Sequence, residues 1–465
     1  MTAILGGGLS GLSAAYYLLK AKAHPLTLFE SSKLIGGWIQ SQKLDNGIVF
    51  EQGPRTIRPR GIPGANTLAL LEELQLESKV RPVSSNHPAA LNRLIYVNDQ
   101  LHKLPSSFLD ILKVKPPFSK SLIRHILGDL RAPSISKTDE SAYDFISRRF
   151  GNELADYLIS PLLCGICAGD SKEISVKFLM KYLFDLEQKY GSVLKGVLID
   201  NFKSKPSEFP LESNLAARAK KERWSVYSLV GGLGVLPTTL YESLSTNEHF
   251  QAQFDTVCSG IEFNEKSVKL TINNQAHNFN HLVSSISSQQ LAPLLKNQHP
   301  ILASELSKIP FVDVVVINLA YDKNLLKEQA FGFLVPPSQK LPILGVIFDS
   351  CCFDINDKTV LTVMMGGRWF SQYFGSEPNE EKLLDIALTQ IKRSLKIDVK
   401  PNIYKVSILR NCIAQYVVGH EERLKNIDKY ITDKKLPISL VGSSYHGVGI
   451  NDVILSAKKG VQKLS

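Results

Sequence analysis

Short apolar runs closed by turns, each followed by a stretch with helical spacing, set the pattern at the start of this chain. Thr2-Ala3-Ile4-Leu5 is apolar and predicts a first strand, with Leu12 to Lys20 predicting the helix behind it. Thr27-Leu28-Phe29-Glu30 predicts a second strand. Thr67 to Leu76 predicts a helix that carries Leu68, Leu70, Leu71 and Leu74 on one face. From Pro105 to about Leu198 the spacing is mostly helical. Lys203 to Lys221, polar and with two prolines, predicts a loop or linker. Val230-Gly231-Gly232-Leu233-Gly234 leads into a helix ending at Leu244, and Phe254 to Val257 predicts the strand after it. Val312 to Leu319, Leu344 to Phe348, Val360 to Met365 and Tyr404 to Leu409 are apolar, largely β-branched runs bounded by turns. They predict a sheet-rich second domain. Ile438 to Gly442 predicts a last strand, which runs through Ser443 to Asp452 into a final helix ending at Leu464.

The turn after the first strand carries chemistry. Gly6-Gly7-Gly8-Leu9-Ser10-Gly11 is a G-x-G-x-x-G between strand and helix, the pattern that cradles a dinucleotide pyrophosphate. Gly6 makes the tight turn, Gly8 lets backbone approach phosphate, and Gly11 lets helix and strand pack closely. The helix N-terminus faces the phosphates with free amides and its positive end. Glu30 ends the second strand nineteen residues after Gly11, where a ribose-binding acid belongs; the plain alternative is an acid capping an edge strand. A second glycine-rich strand-to-helix turn lies at the C-terminus. Both termini are therefore expected to build one cofactor domain, with the substrate domain inserted between them.

With 465 residues, the chain has room for two or three domains. Its 44% hydrophobic and 21% charged residues make it globular, and its net charge of +10 raises three anionic partners: nucleic acid, a membrane surface or a carboxylated substrate. No nucleic-acid-binding motif is present, and no apolar run approaches the eighteen or so residues of a membrane-spanning helix. Leu101 to Lys137 holds seven Lys or Arg against Asp110 and Asp129, a net +5. Phe108, Leu109, Ile111, Leu112, Val114, Phe118, Leu122, Ile123, Ile126 and Leu127 are interleaved with them, and Pro116-Pro117 splits the segment in two. Such a mixture favours interfacial membrane contact; the alternative is a solvated helix face over a core. The chain enters its first strand at once, so no cleavable targeting peptide is expected. The six cysteines have no framework spacing and are expected as free thiols. Cys164-Gly165-Ile166-Cys167 lacks the second pair a zinc site needs, so no metal is expected.

After Glu30 come Ser31-Ser32-Lys33-Leu34-Ile35-Gly36-Gly37-Trp38, and this extension resembles the FAD-binding N-terminus of the flavin amine oxidase superfamily. Within it the chain resembles the protoporphyrinogen oxidase family of mitochondrial type. The matching segments are Gly36-Gly37-Trp38-Ile39, Phe50 to Arg55, His87 to Ala90, Asn92 to Val97, Gly165 to Asp170, Phe331 to Pro336, Met365-Gly366-Gly367, Asn411-Cys412-Ile413 and Gly442 to Asp452. Bacterial coproporphyrinogen oxidases share the fold but usually carry an acid where Arg55 stands here.

The resemblance implies an α/β fold in which a Rossmann-like FAD-binding domain (1–84, 222–300 and 432–465) carries two insertions. These are a mixed-sheet substrate domain (85–104, 199–221 and 301–431) and a helical membrane-binding domain (105–198). It implies six-electron oxidation of a cyclic tetrapyrrole in three flavin cycles, with oxygen reoxidising the flavin and yielding hydrogen peroxide. It implies non-covalent FAD at Gly6, Gly8, Leu9, Ser10, Gly11, Glu30, Ser31, Trp38, Gly53, Pro54, Arg55, Thr56, Val257, Ser443, Val448, Gly449 and Ile450, with Val257 meeting the adenine side through its backbone. For the substrate it implies Phe331 and Leu334 on one side of the disc, Met364 on the other, Arg93 at a propionate and the Gly165 carbonyl at pyrrole N–H groups. The plain readings are core filling for Trp38, a surface ion pair for Arg93 and an ordinary buried thiol for Cys412. No general base is identified. Attachment to the outer face of the inner mitochondrial membrane is implied, and a homodimer and a ferrochelatase contact are further partners to consider. The rivals are another flavin oxidase on this fold, acting on coproporphyrinogen, an amine or a carotenoid precursor, and an FAD-binding scaffold without catalysis.

Overall fold

The computed structural model describes residues 1–21, 25–201, 213–353, 355 and 357–464. These residues form two compact units: Met1–Pro82 with Glu208–Pro310 and Glu421–Ser465, and Val83–Ser207 with Phe311–His420.

The first unit is built on a five-stranded sheet in the order Ile438–Leu440, His281–Ser284, Thr2–Leu5, Leu26–Phe29, Phe250–Gln253. Every pairing is parallel. Covered on both faces, its central strands are apolar at successive positions rather than alternating, which is why Ala3-Ile4-Leu5 reads as a continuous run. Helices Leu9–Lys20, Gly61–Glu73, Val235–Ser245 and Ile450–Val461 supply Leu12, Leu18, Leu68, Leu71, Leu236, Leu240 and Ile454 to one core. The helix predicted from Thr67 starts six residues earlier, at Gly61, because Pro63 in the first turn sacrifices no intrahelical N–H. The strand predicted at Phe254–Val257 lies instead at Phe250–Gln253, where it pairs Leu26 with Phe250 and Phe29 with Gln253. Val257 falls in the loop before a three-stranded antiparallel sheet, Cys258–Phe263, Val268–Ile272 and Gln275–Phe279. The stretch predicted as a linker from Lys203 contains a helix, Asn214–Lys221, whose N-cap Ser213 accepts from the Ala216 amide; residues 202–212 lie outside the described residues.

The second unit holds a mixed seven-stranded sheet in the order Ile403–Ala414, Phe311–Tyr321, Thr359–Gly367, Ile343–Phe348, Gly332–Leu334, Arg93–Val97, Gln100–Lys103. Only the pairing of Gly332–Leu334 with Arg93–Val97 is parallel. Leu319, Val363, Phe333 and Val346 pack from one face against Leu383, Ala387 and Ile391 of helix Glu380–Leu395. On the other face Val314, Val316, Leu344, Leu409 and Cys412 cluster with Cys164 and Ala168.

The helices of 105–198 belong to this same unit. They are held by a buried ionic cluster. Arg149, with no exposed side chain, donates from Nε to Asp129 Oδ1 at 2.6 Å, while Asp129 also accepts from the Ser192 hydroxyl and the Leu194 amide. Residues 213–221, 301–310 and 421–431, assigned in sequence to the substrate domain, group with the first unit. Among the described residues no helix is long and apolar enough to cross a membrane.

Candidate functional site

In the first unit, Gly6 has φ of +101°, and its amide donates to the Phe29 carbonyl at 2.9 Å, tying the turn to the neighbouring strand. A Cβ on Gly11 would lie 2.0 Å from the Gly6 carbonyl oxygen, so helix Leu9–Lys20 reaches the strand only because that residue is glycine. Gly8 differs. A Cβ there would meet nothing nearer than the Gly37 Cα at 3.9 Å, so packing does not require glycine and the space above it is open to a ligand. No side chain caps this helix, whose first turn includes Leu9, Ser10 and Gly11, and its leading amides remain available to an anion.

Glu30 is fixed beside this turn. Its Oε2 accepts from the Gly7 amide at 2.7 Å, and its Oε1 accepts from the Ser32 amide at 2.8 Å and the Ser31 hydroxyl at 3.4 Å. A carboxylate with about four acceptor sites keeps capacity for ribose hydroxyls. Gly36 donates to the Gly7 carbonyl at 2.9 Å and lays the second loop along the first. A Cβ on Gly53 would stand 2.2 Å from the Trp38 carbonyl, so Gly53 to Thr56 runs against that loop. Trp38 is 44% exposed, which overturns core filling; Leu34, Val230 and Val257 are also bare apolar side chains of this unit. Arg55 is buried and donates to the Glu51 carbonyl. At the C-terminal turn Gly442 has φ of +105°, which favours glycine, and a Cβ there would lie 3.1 Å from Ser10 Oγ. Ser443 and Val448 are half-buried, Gly449 is the N-cap of helix Ile450–Val461, and Ile450 is buried. The Val257 backbone is engaged within the protein: its amide donates to Asn273 Oδ1 at 3.0 Å and its carbonyl accepts from the Asn273 amide at 3.1 Å.

The glycine cluster Gly231–Gly234 is closed by the protein itself, which sequence reading missed. Glu51 Oε1 accepts from the Leu233 amide at 2.7 Å, Ser41 Oγ accepts from the Gly234 amide at 2.8 Å, and Ser41 donates to Glu51 Oε2 at 2.6 Å. A buried carboxylate thus occupies the turn where an anion could have bound.

In the second unit, register brings the implied substrate residues onto one sheet face. Ile95 pairs with Leu334, Leu334 with Gly345, Gly345 with Met364, and Met364 with Val316. Paired residues share a face, and so does Arg93, two positions before Ile95. Leu334 and Met364 sit two strands apart, about 9.6 Å between backbones, with side-chain-free Gly345 between them. Gly165 of helix Ser160–Cys167 lies over the same face: a Cβ on it would be 2.8 Å from Leu334 Cδ2. Its carbonyl belongs to the last turn, which lacks in-helix donors. Phe331 stands just outside the row, fixed by its amide on the Asn92 carbonyl and its carbonyl on the Phe348 amide. Arg93 is exposed and makes no ion pair among the described residues, so the surface-pair reading does not hold. Gly345 was missed as a floor residue, although a lone glycine inside a strand run is the available signal.

Cys164, Cys167 and Cys412 are buried. Burial pushes the Cys164 thiol up and the Cys167 and Cys412 thiols up to about 12, leaving all three unreactive at neutral pH. Cys412 packs in the core cluster and donates to the Val312 carbonyl. A cavity of about 420 Å³ lined by Tyr143, Ser160, Lys172, Trp369 and Tyr373 among others contains none of the implied site residues.

Comparison with known proteins identifies the family. The family of flavin containing amine oxidoreductases matches residues 9–464. Protoporphyrinogen oxidase of Bos taurus is 38% identical over 99% of this chain and 97% of its own length, and that of Homo sapiens is 38% identical over 98% and 96%. A crystal structure from Exiguobacterium sp. 255-15 superimposes with a TM-score of 0.80 at 22% identity, covering 100% of this chain and 98% of that one. The chain belongs to the protoporphyrinogen oxidase family of the flavin containing amine oxidoreductases.

Proposed function

We propose that this chain oxidises protoporphyrinogen IX to protoporphyrin IX in haem biosynthesis, with FAD bound non-covalently and oxygen as the terminal acceptor. The observation that carries the reading is the single sheet face that collects Arg93, Leu334, Gly345 and Met364 beneath Gly165. A flat apolar disc with carboxylate arms needs apolar walls, a flat floor and a cation, and this face offers all three.

Bound FAD supplies a two-electron acceptor, cycled three times per macrocycle. The chain's own residues bind and orient. Leu334 and Phe331 form one wall and Met364 the other; Gly345 keeps the floor flat. Arg93 offers a guanidinium fork matched to a propionate, and among the described residues it has no ion-pair partner to compete for that role. Gly165 contributes a carbonyl lone pair to pyrrole N–H groups, fixing the ring against rotation. For FAD, the open space above Gly8 and the uncapped amides of Leu9, Ser10 and Gly11 suit the pyrophosphate, and Glu30 suits the ribose. Ser31, Trp38, Gly53, Pro54, Arg55, Thr56, Ser443, Val448, Gly449 and Ile450 line the remainder of the dinucleotide, with Val257 at the adenine end.

The proposal extends to a membrane surface. Helices Phe108–Leu112 and Leu122–Gly128 bury none of their residues; Phe108 is 74% and Leu109 67% exposed, beside exposed Lys113, Lys120, Arg124 and Arg131. Apolar side chains standing bare among cations suit an anionic lipid interface, such as the outer face of the inner mitochondrial membrane. Oxygen uptake with protoporphyrinogen, coproporphyrinogen and a panel of amines tests the activity. Uptake with protoporphyrinogen well above the others is the expected result, and a preference for coproporphyrinogen or an amine would replace the reading.

A further inference from the structure

The loop Phe254–Val257 is tied down from two directions. Glu30 holds it through main chain: its amide donates to the Gln253 carbonyl at 2.9 Å, and its carbonyl accepts from the Thr256 amide at 3.0 Å and the Thr256 hydroxyl at 3.1 Å. Asn273 holds it from the opposite end. Its Nδ2 donates to the Asp255 carbonyl at 3.2 Å, its Oδ1 accepts from the Val257 amide at 3.0 Å, and its own amide donates to the Val257 carbonyl at 3.1 Å.

Asn273 reaches three groups because of where it stands. With Asn274 it forms the two-residue turn joining strands Val268–Ile272 and Gln275–Phe279, at φ of +46° and +66°. Both central residues in the left-handed region define the hairpin turn that asparagine and glycine tolerate best. Glycine would hold the turn equally well and make only the backbone bond. Two of the three bonds therefore depend on the asparagine side chain.

The clamp determines what the loop can offer a ligand. The Val257 N–H is consumed, one carbonyl lone pair remains, and the valine side chain is 57% exposed. A fixed apolar surface beside a lone acceptor suits an aminopurine, whose ring faces are apolar and whose exocyclic amine donates. We propose that Asn273 is a positioning residue for the adenine end of FAD, holding residues 255–257 in register with Glu30 before the cofactor arrives. The inference rests on the placement of Val257 at the adenine, given above.

Three probes test it on flavin-free protein: FAD, FMN, which lacks the adenosine, and ADP, which lacks the flavin. Asn273→Gly keeps the turn unstrained and removes two modest hydrogen bonds, so Kd for FAD and for ADP should each rise about tenfold. FMN affinity should stay unchanged, and the unfolding temperature should fall by only a few degrees, about what two modest hydrogen bonds are worth. Asn273→Asp retains the acceptor for the Val257 amide but turns an oxygen towards the Asp255 carbonyl, so it should recover only part of the loss. FAD and ADP affinities unchanged by Asn273→Gly would overturn the inference, as would equal losses for FAD and FMN. Val257→Glu separates the two levels, because it sets a charge on the exposed face without disturbing the core. If that variant binds FAD normally, the placement of Val257 fails and the clamp's role fails with it. If it weakens FAD while Asn273→Gly does not, only the clamp is wrong.

Discussion

Replacing Arg93 with alanine gives the sharpest test of the substrate face. The guanidinium is exposed and unpaired among the described residues, so its removal strands no buried charge. The strand keeps its main-chain pairing, including the Leu104 amide on the Arg93 carbonyl at 2.9 Å. Folding stability should therefore change by no more than about 0.5 kcal/mol. A charge-assisted contact with a propionate is worth about 1.5–3 kcal/mol, which converts to a roughly ten- to hundredfold rise in KM. The propionates lie at the rim of the macrocycle, away from the carbon that is oxidised. The contact should thus be equally strong in ground and transition states, leaving kcat nearly unchanged. Initial rates followed by porphyrin fluorescence give both constants, and the flavin absorbance spectrum reports an intact cofactor site. Arg93→Lys should recover part of the loss, since an ammonium keeps the charge without the fork. The dimethyl ester of the substrate adds the second arm of a cycle: it should bind wild type poorly and Arg93→Ala no worse. Equal KM values for wild type and Arg93→Ala, in a folded, FAD-loaded enzyme, would show that no propionate is held there.

Three further outcomes follow from the geometry. Gly11→Ala places a methyl 2.0 Å from the Gly6 carbonyl oxygen and should lower both unfolding temperature and FAD retention, whereas Gly8→Ala should spare stability and lose FAD; unimpaired FAD retention in both would refute the cradle. Arg149→Leu leaves the Asp129 carboxylate buried without its cation and should cost about 3–5 kcal/mol in urea unfolding, part of which Asp129→Leu in the same chain should restore. Burial pushes the His281 imidazole down to about 4 from an ordinary value near 6.5. The unfolded chain then takes up a proton that the folded one refuses, so stability is whole above 6.5 and falls towards pH 4, by ~3 kcal/mol at most. Urea midpoints at pH 7 and 4.5 should show this fall in wild type and a smaller one in His281→Asn.

What the sequence reveals depends on whether a signal is local. Gly6 to Gly11 is legible because six consecutive residues perform one task with backbone, and Glu30 is legible because strand and helix lengths fix its distance from them. The strand around Val312–Leu319 is legible because it is central and covered on both faces, so nearly every position is apolar. Phe250–Gln253 is an edge strand reading Phe-Gln-Ala-Gln, less apolar than the loop after it, and only its register against Leu26–Phe29 identifies it. Trp38 stands exposed although tryptophan is apolar, on a loop whose carbonyl passes close against Gly53. The Glu51–Ser41 closure of the Gly231–Gly234 turn joins positions 182 and 193 residues apart, so no window along the chain contains both halves.

The substrate face presents the same difficulty in stronger form. Ile95, Leu334, Gly345 and Met364 come from four strands, and their shared face is decided by register alone. A slip of one residue in Gly332–Leu334 would turn Leu334 away and bring Phe333 or Val335 in its place. Gly332 prevents the slip: at φ +140°, a Cβ there would lie 2.1 Å from the Val346 carbonyl oxygen, so no other residue fits that position beside strand Ile343–Phe348. The glycine has no side chain to offer, yet it determines which neighbouring side chains share that face. A resemblance can carry the identity of Leu334 from one protein to another, but the reason Leu334 faces the floor at Gly345 lies in the backbone two residues earlier.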